Sequence, residues 1–293
     1  NKLIYGDHIL ANTSVGTVAS VESIVLDDLK NFYNSNFSAD LATISIVGDV
    51  TRSGTVKAFK GMVEKWVVKD VSFPEYELPE PEQQAKVSFV DVTGSKQSEI
   101  RIGYLGLART DPDYYPATVM NIKLGGNFSG DVNMVLREEK GYTYGARTGF
   151  SGSNFPGKFT ASSGVRSNTT EESVNIFKEL LTAYRNPIAS DDLDFTKNVL
   201  LKSNARRFET LGALRGMISN IATYGFPFDY IKDQEETVRN MSVEDHNALA
   251  KKLIRPDEMI YLVVGDAATQ LEGMKSLGFG DPILLDADGN PVQ

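Results

Sequence analysis

The stretch LGGNFSGDVNMVLREEKGYTY, residues 124–144, carries the most structural information in the chain. It reads as a glycine turn, a short amphipathic helix, a glycine stop and a strand. At about 100° per residue, Phe128, Val132, Val135 and Leu136 fall on one side of the helix. Arg137 then falls about 180° from Phe128, on the face turned away from the core. Gly141 can end the helix, since glycine alone takes the left-handed conformation at little cost. The chain re-enters as a strand that carries Tyr142 and Tyr144 close to Arg137. A guanidinium and a phenol are thus offered to one surface, where both can bond to peptide carbonyls.

This pattern resembles the second, non-catalytic half of the pitrilysin/insulinase family of zinc metallopeptidases. In that family an Arg and a Tyr seven residues later, in a setting like Leu-Arg-Glu-x-x-Gly-x-x-Tyr, help to bind substrate. The matching residues are Leu136, Arg137, Glu138, Gly141 and Tyr144. The preceding Leu124-Gly125-Gly126 and Ser129 match as well. Gly130-Asp131 departs from the pattern, because the family more often has a serine and an arginine there. The resemblance implies that Arg137 and Tyr144 contact a peptide substrate.

Zinc follows from the same resemblance. The family's catalytic motif is His-x-x-Glu-His on a helix, which sets two histidines on successive turns toward one metal. The chain has two histidines, His8 and His246, and neither has a second one four residues away. No catalytic residue, metal site or cofactor is therefore expected in this chain. The resemblance places zinc in a catalytic half that bears His-x-x-Glu-His, in the same parent chain or in a separate subunit. His246 reads as a solvated or helix-stabilising residue.

Composition narrows the partners. The net charge is −9, which argues against nucleic acid, whose phosphates call for basic patches. There is no cysteine, so disulfides and thiolate metal sites are excluded, while the compartment is left unspecified. No apolar run reaches membrane-spanning length. With 41% hydrophobic residues the chain can build a packed core.

Proline and glutamate mark a linker at residues 71–86, with Pro74, Pro79 and Pro81 among Glu75, Glu77, Glu80 and Glu82. Residues on its two sides repeat. Residues 24–49 and 241–266 share an acidic helix start, a helix, a strand and a closing Val-Gly-Asp, with Val47 and Val264 217 positions apart. Only five of the 26 paired positions are identical, so the shared order carries the comparison. The repeat suggests that residues 1–70 are the last part of a first unit and residues 87–293 a complete second unit. That first unit would begin roughly 130 residues before Asn1.

Strands interrupted by helix pairs, without strict βαβ alternation, predict an α+β fold, a mostly antiparallel sheet with helices on one face. Residues 41–47 are expected as a strand, and residues 191–224 as one long helix with Leu211, Leu214, Ile218 and Ile221 on its buried side. The Asp of each Val-Gly-Asp is expected to cap the next helix, and Arg206-Arg207 to lie on a solvated face. The functional reading is a non-catalytic segment that helps to bind and enclose a peptide for a zinc-bearing half. The alternative is a structural subunit or peptide-binding scaffold without peptidase activity.

Overall fold

The structure, a computed structural model, describes residues 1–78 and 80–292. Pro79 of the expected linker lies outside the described residues. Six strands form one sheet in the order β3-β4-β2-β5-β1-β6. They are β1 (Lys86–Asp91), β2 (Gln97–Leu105), β3 (Thr143–Phe150), β4 (Lys158–Arg166), β5 (Ile260–Gly265) and β6 (Ile283–Leu285). The β3–β4, β4–β2 and β2–β5 pairs are antiparallel, whereas β1 pairs in parallel with β5 and β6.

Alternation along the strands separates two faces. On β2, Ile100, Ile102 and Tyr104 are buried under helices, while Glu99 and Arg101 look out from the opposite face. The registers carry this division across the sheet: Thr148, Ala161, Ile102 and Tyr261 form one row on the helix side. Helices Tyr114–Asn121, Thr170–Ala183 and Val243–Leu253 cover that side and close a core around Phe89, Ile100, Phe159, Phe177 and Tyr261. The α+β class, the predominantly antiparallel pairing and the single helical layer agree with the sequence reading.

Several local expectations are corrected. Residues 191–224 do not form one helix. Helix Ser190–Asn204 tightens into a 3-10 turn at Ala205–Phe208, and a new helix, Leu211–Tyr224, starts where the Thr210 hydroxyl accepts the Ala213 N–H at 3.1 Å. That cap satisfies an otherwise orphaned donor and resets the helix. Leu211 and Ile218 are exposed rather than buried. Arg207 is not simply solvated, for it bonds to Asn204 and Gln234. Helix Tyr230–Asn240 and strand β6 were not legible as elements.

The two repeat copies share a helix start in atomic detail. The Asp28 carboxylate accepts the Val25 N–H at 2.9 Å, and the Asp245 carboxylate accepts the Ser242 N–H at 3.0 Å. Their strands differ. Residues 260–265 pair on both sides as β5, but residues 42–47 join no ladder among the described residues, and the expected strand is absent. Extended backbone becomes a strand only beside a partner. Asp49 also does not cap the following helix; the Thr51 hydroxyl does, accepting the Gly54 N–H at 3.1 Å. Along residues 9–78 many apolar side chains are exposed, including Val18, Leu26, Leu29, Phe32 and Ile44.

His246 is buried, contrary to the solvated reading. Its Nε2 lies 3.1 Å from the Tyr184 hydroxyl, which itself donates to the Met120 carbonyl at 2.7 Å. The hydroxyl therefore accepts from Nε2–H, and Nδ1 is left without a partner. Burial lowers the His246 pKa, against a smaller raising effect of the Met120 carbonyl. The unfolded chain thus binds this proton more readily than the native one. Stability should fall as pH drops below about 6.5, the ordinary histidine value. His246→Gln should remove this part of the acid slope in urea unfolding measured as a function of pH. An unchanged slope would show that another group carries it.

Candidate functional site

The decisive stretch folds against the edge of the sheet. After helix Tyr114–Asn121 the backbone widens into i→i+5 turns at Ile122–Gly126, reverses, and widens again at Met134–Glu139. This hairpin covers β3. The Asn121 side-chain amide donates to the Thr148 carbonyl at 3.0 Å, and the Asn133 side-chain Oδ1 accepts the Ala146 N–H at 3.0 Å. Backbone groups of the edge strand are thereby satisfied. The approach is close. A Cβ on Gly125 would come within 2.7 Å of the Thr148 nitrogen, and one on Gly130 within 2.7 Å of the Gly125 Cα. This accounts for the glycine pair, and Gly130 sits where a side chain would strike that same turn.

A charged pair also ties the hairpin. Lys123 Nζ lies 2.7 Å from Asp131 and 3.4 Å from Asp192. Burial works against the Lys123 ammonium, but its bonds to the two carboxylates outweigh it and raise its pKa. Asp131 responds the other way: burial raises its pKa against the lowering effect of Lys123. The ammonium, with two carboxylate partners, is thus better served than Asp131.

Gly141 takes φ +65° and ends the wide turn, and its N–H donates to the Arg137 carbonyl at 3.1 Å. The strand that follows carries one extra residue between Thr143 and Ala146 relative to β4. The Thr143 hydroxyl holds this bulge by donating to the Gly164 carbonyl at 2.7 Å and accepting the Gly145 N–H at 3.0 Å. A bulge re-aims a side chain. Here it turns Tyr144 fully outward, at 94% exposure.

Tyr144 stands on the rim of a cleft of about 570 Å³ on the helix-free face. Phe128, Asn127 and Gly126 form another part of the rim, and Arg101, Arg147 and Ser162 lie on the strands beneath. Phe128 is 62% exposed, not part of the core as the helical phase predicted. It precedes the helix, which begins at Asp131, so the phase does not extend to it. The Arg137 guanidinium lies 4.6 Å from the Phe128 ring centre, where the two attract. Arg137 also pairs with Glu138 at 3.5 Å, a half-exposed contact of small energetic weight.

Tyr144 and Phe128 both line the cleft, whereas Arg137 does not line it and reaches only the Phe128 ring. No hydrogen bond joins Arg137 and Tyr144 among the described residues. Phe128, Arg147 and Ser162 were missed as site residues. Phase placed Phe128 inside, and Arg147 and Ser162 sit in ordinary strand alternation with nothing local to mark them.

Neither histidine lies in a cluster of metal-ligand side chains among the described residues. His8 Nδ1 accepts the Leu10 N–H at 3.0 Å and His246 is buried beside Tyr184. No group of three or more His, Asp or Glu side chains among the described residues is placed to hold a metal ion. No helix among them is long and apolar enough to cross a membrane.

Comparison with known proteins agrees with this architecture. A family model described as the peptidase M16 inactive domain matches residues 23–200. Over 274 residues the chain is 25% identical to the uncharacterized zinc protease YmxG of Bacillus subtilis, covering 90% of the chain and 63% of that relative. It is 22% identical over 269 residues to the non-peptidase homolog YmxG of Helicobacter pylori, covering 90% and 61%. The crystal structure of a peptidase M16 inactive domain from Pseudomonas fluorescens superposes with a TM-score of 0.81 at 27% identity, covering 90% of this chain and 63% of that one. The chain therefore spans about three-fifths of the length of these relatives.

Proposed function

The chain belongs to the family of peptidase M16 inactive domains, and from this premise we propose that it holds an extended peptide for a zinc-bearing catalytic half and does not itself cleave it. In this reading residues 1–70 are the end of a first unit, residues 71–86 a linker and residues 87–293 a second unit. Arg137 and Tyr144 are the substrate contacts. The catalytic half bears His-x-x-Glu-His and the zinc, in the same parent chain or in a separate subunit, and the two halves enclose the peptide.

One observation carries the reading. Tyr144 is a large aromatic side chain held outward on a bulge, at the rim of an open cleft, with no packing role. A phenol in that position can stack on a peptide and bond to its carbonyl. Arg137, held at the Phe128 ring, adds a positive charge from the side. Donors fixed in this way orient a substrate rather than break a bond.

A second reading rests on the Helicobacter pylori relative, which is described as a non-peptidase homolog. In that case the same cleft serves a scaffold or peptide-binding module with no catalytic partner. The test begins with the purified chain. It should retain an extended peptide intact and carry no tightly bound zinc, as judged by peptide mass and elemental analysis. One zinc per chain with chelator-sensitive cleavage would overturn the assignment. Added catalytic half, where one exists, should restore cleavage; its failure to do so would favour the scaffold.

A further inference from the structure

The floor of the cleft has a polarity that the Arg137–Tyr144 pair does not explain. On the open face the register sets Arg147 of β3 opposite Ser162 of β4, and Ser162 opposite Arg101 of β2. Directly opposed residues on one face hold their Cβ atoms about 4.5–5.5 Å apart. Two guanidiniums therefore flank one hydroxyl in a single row. They are not equivalent. Arg101 is already engaged, with Glu99 at 2.8 Å and the Ile100 carbonyl at 2.9 Å. Arg147 is exposed to the cleft, and among the described residues it makes no ion pair or side-chain hydrogen bond. Ser162 is largely buried, at 8% exposure, but it lines the cleft beside Arg147, and its hydroxyl makes no side-chain hydrogen bond among the described residues.

We propose that Arg147 and Ser162 form a carboxylate subsite in the floor of the cleft, so that the peptide it prefers is one that presents an acidic side chain or a free C-terminus there. The inference rests on the cleft being a peptide site, as proposed above. Its chemistry is direct. Guanidinium binds carboxylate through two parallel N–H···O bonds, and an adjacent hydroxyl can donate a third. Arg101 supports the site from across the row, but Glu99 neutralises most of its charge. The overall charge of −9 does not oppose this at short range, because fields from distant surface charges fade over about 8 Å at physiological salt.

The experiment uses the full chain and four fluorescein-labelled decapeptides rich in valine and threonine. Two have a central glutamate and two a central glutamine; each is made with a free and with an amidated C-terminus. A peptide with a carboxylate should bind about tenfold more tightly than the amidated glutamine peptide. Preference for the glutamate or for the free terminus identifies which carboxylate is held. Arg147→Gln should abolish the preference, Arg147→Lys should keep part of it, and Ser162→Ala should reduce it. Arg215→Gln, on helix Leu211–Tyr224, should leave it unchanged and so controls for overall charge.

Equal affinity for all four peptides, still weakened by Tyr144→Ala, would overturn the carboxylate subsite and leave the peptide cleft standing. A preference that survives Arg147→Gln would overturn the assignment to Arg147. Failure of all four peptides to bind would overturn the subsite and the peptide reading together.

Discussion

Gly125→Ala is expected to destabilise the protein by about 3 kcal/mol, toward the upper end of what one overpacked carbon costs. The obstacle decides the magnitude. A Cβ at this position would lie 2.6 Å from Val132 Cγ2, 2.7 Å from the Thr148 nitrogen and 2.7 Å from the Thr148 hydroxyl. The Val132 side chain could turn, but the nitrogen belongs to the edge strand itself. The hairpin must therefore back away from β3 and strain the bonds from Asn121 to the Thr148 carbonyl and from Asn133 to the Ala146 N–H. Loss of those bonds leaves buried polar groups unpaired, which adds to the steric cost. Urea unfolding of the variant checks this. Stability within about 0.5 kcal/mol of wild type, the range of an inert surface change, would mean that the hairpin does not sit this close to the strand.

The same substitution joins fold to site. The hairpin places Phe128 and the strand places Tyr144, so a hairpin that withdraws from β3 widens the cleft between them. Gly125→Ala should therefore weaken peptide binding as well.

What the sequence revealed, and what it withheld, follows from the range of each interaction. Local signals read well. The Gly141 stop and the acidic helix starts in residues 24–49 and 241–266 each depend on neighbours within a few residues, and each appears in the structure. The family pattern around Arg137 and Tyr144 was legible for the same reason. Contacts set by distant partners were not. Residues 42–47 have the composition of a strand but find no neighbouring strand. Residues 191–224 have a helical pattern throughout, yet the Thr210 cap breaks it. His246 looks like any polar helical residue until Tyr184 and Met120 are seen to enclose it.

The site divides in the same way. Phase counted from a regular helix put Phe128 in the core, but that helix starts only at Asp131 and then widens at Met134–Glu139. The outward turn of Tyr144 depends on one unpaired residue opposite β4, which no periodicity announces. Arg147 sits in an ordinary alternation, and its lack of a partner is visible only once the strands are in register.

Tyr144→Ala and Arg137→Ala are expected to weaken peptide binding by about 1–3 kcal/mol each, the cost of a lost polar or aromatic contact to a ligand. Their effect on stability should be small, within about 0.5 kcal/mol, as for surface changes elsewhere. Tyr144 is 94% exposed, so its truncation leaves no cavity. Arg137 gives up a cation–ring contact with Phe128 and a weak pair with Glu138. The most direct measurement is a titration of one extended peptide into wild type, Tyr144→Ala and Arg137→Ala, with urea unfolding of each protein alongside. Weaker binding by both variants at unchanged unfolding is the predicted result. Equal affinity in all three proteins, or a loss of about 3 kcal/mol of stability in Tyr144→Ala as for a core aromatic, would contradict the account.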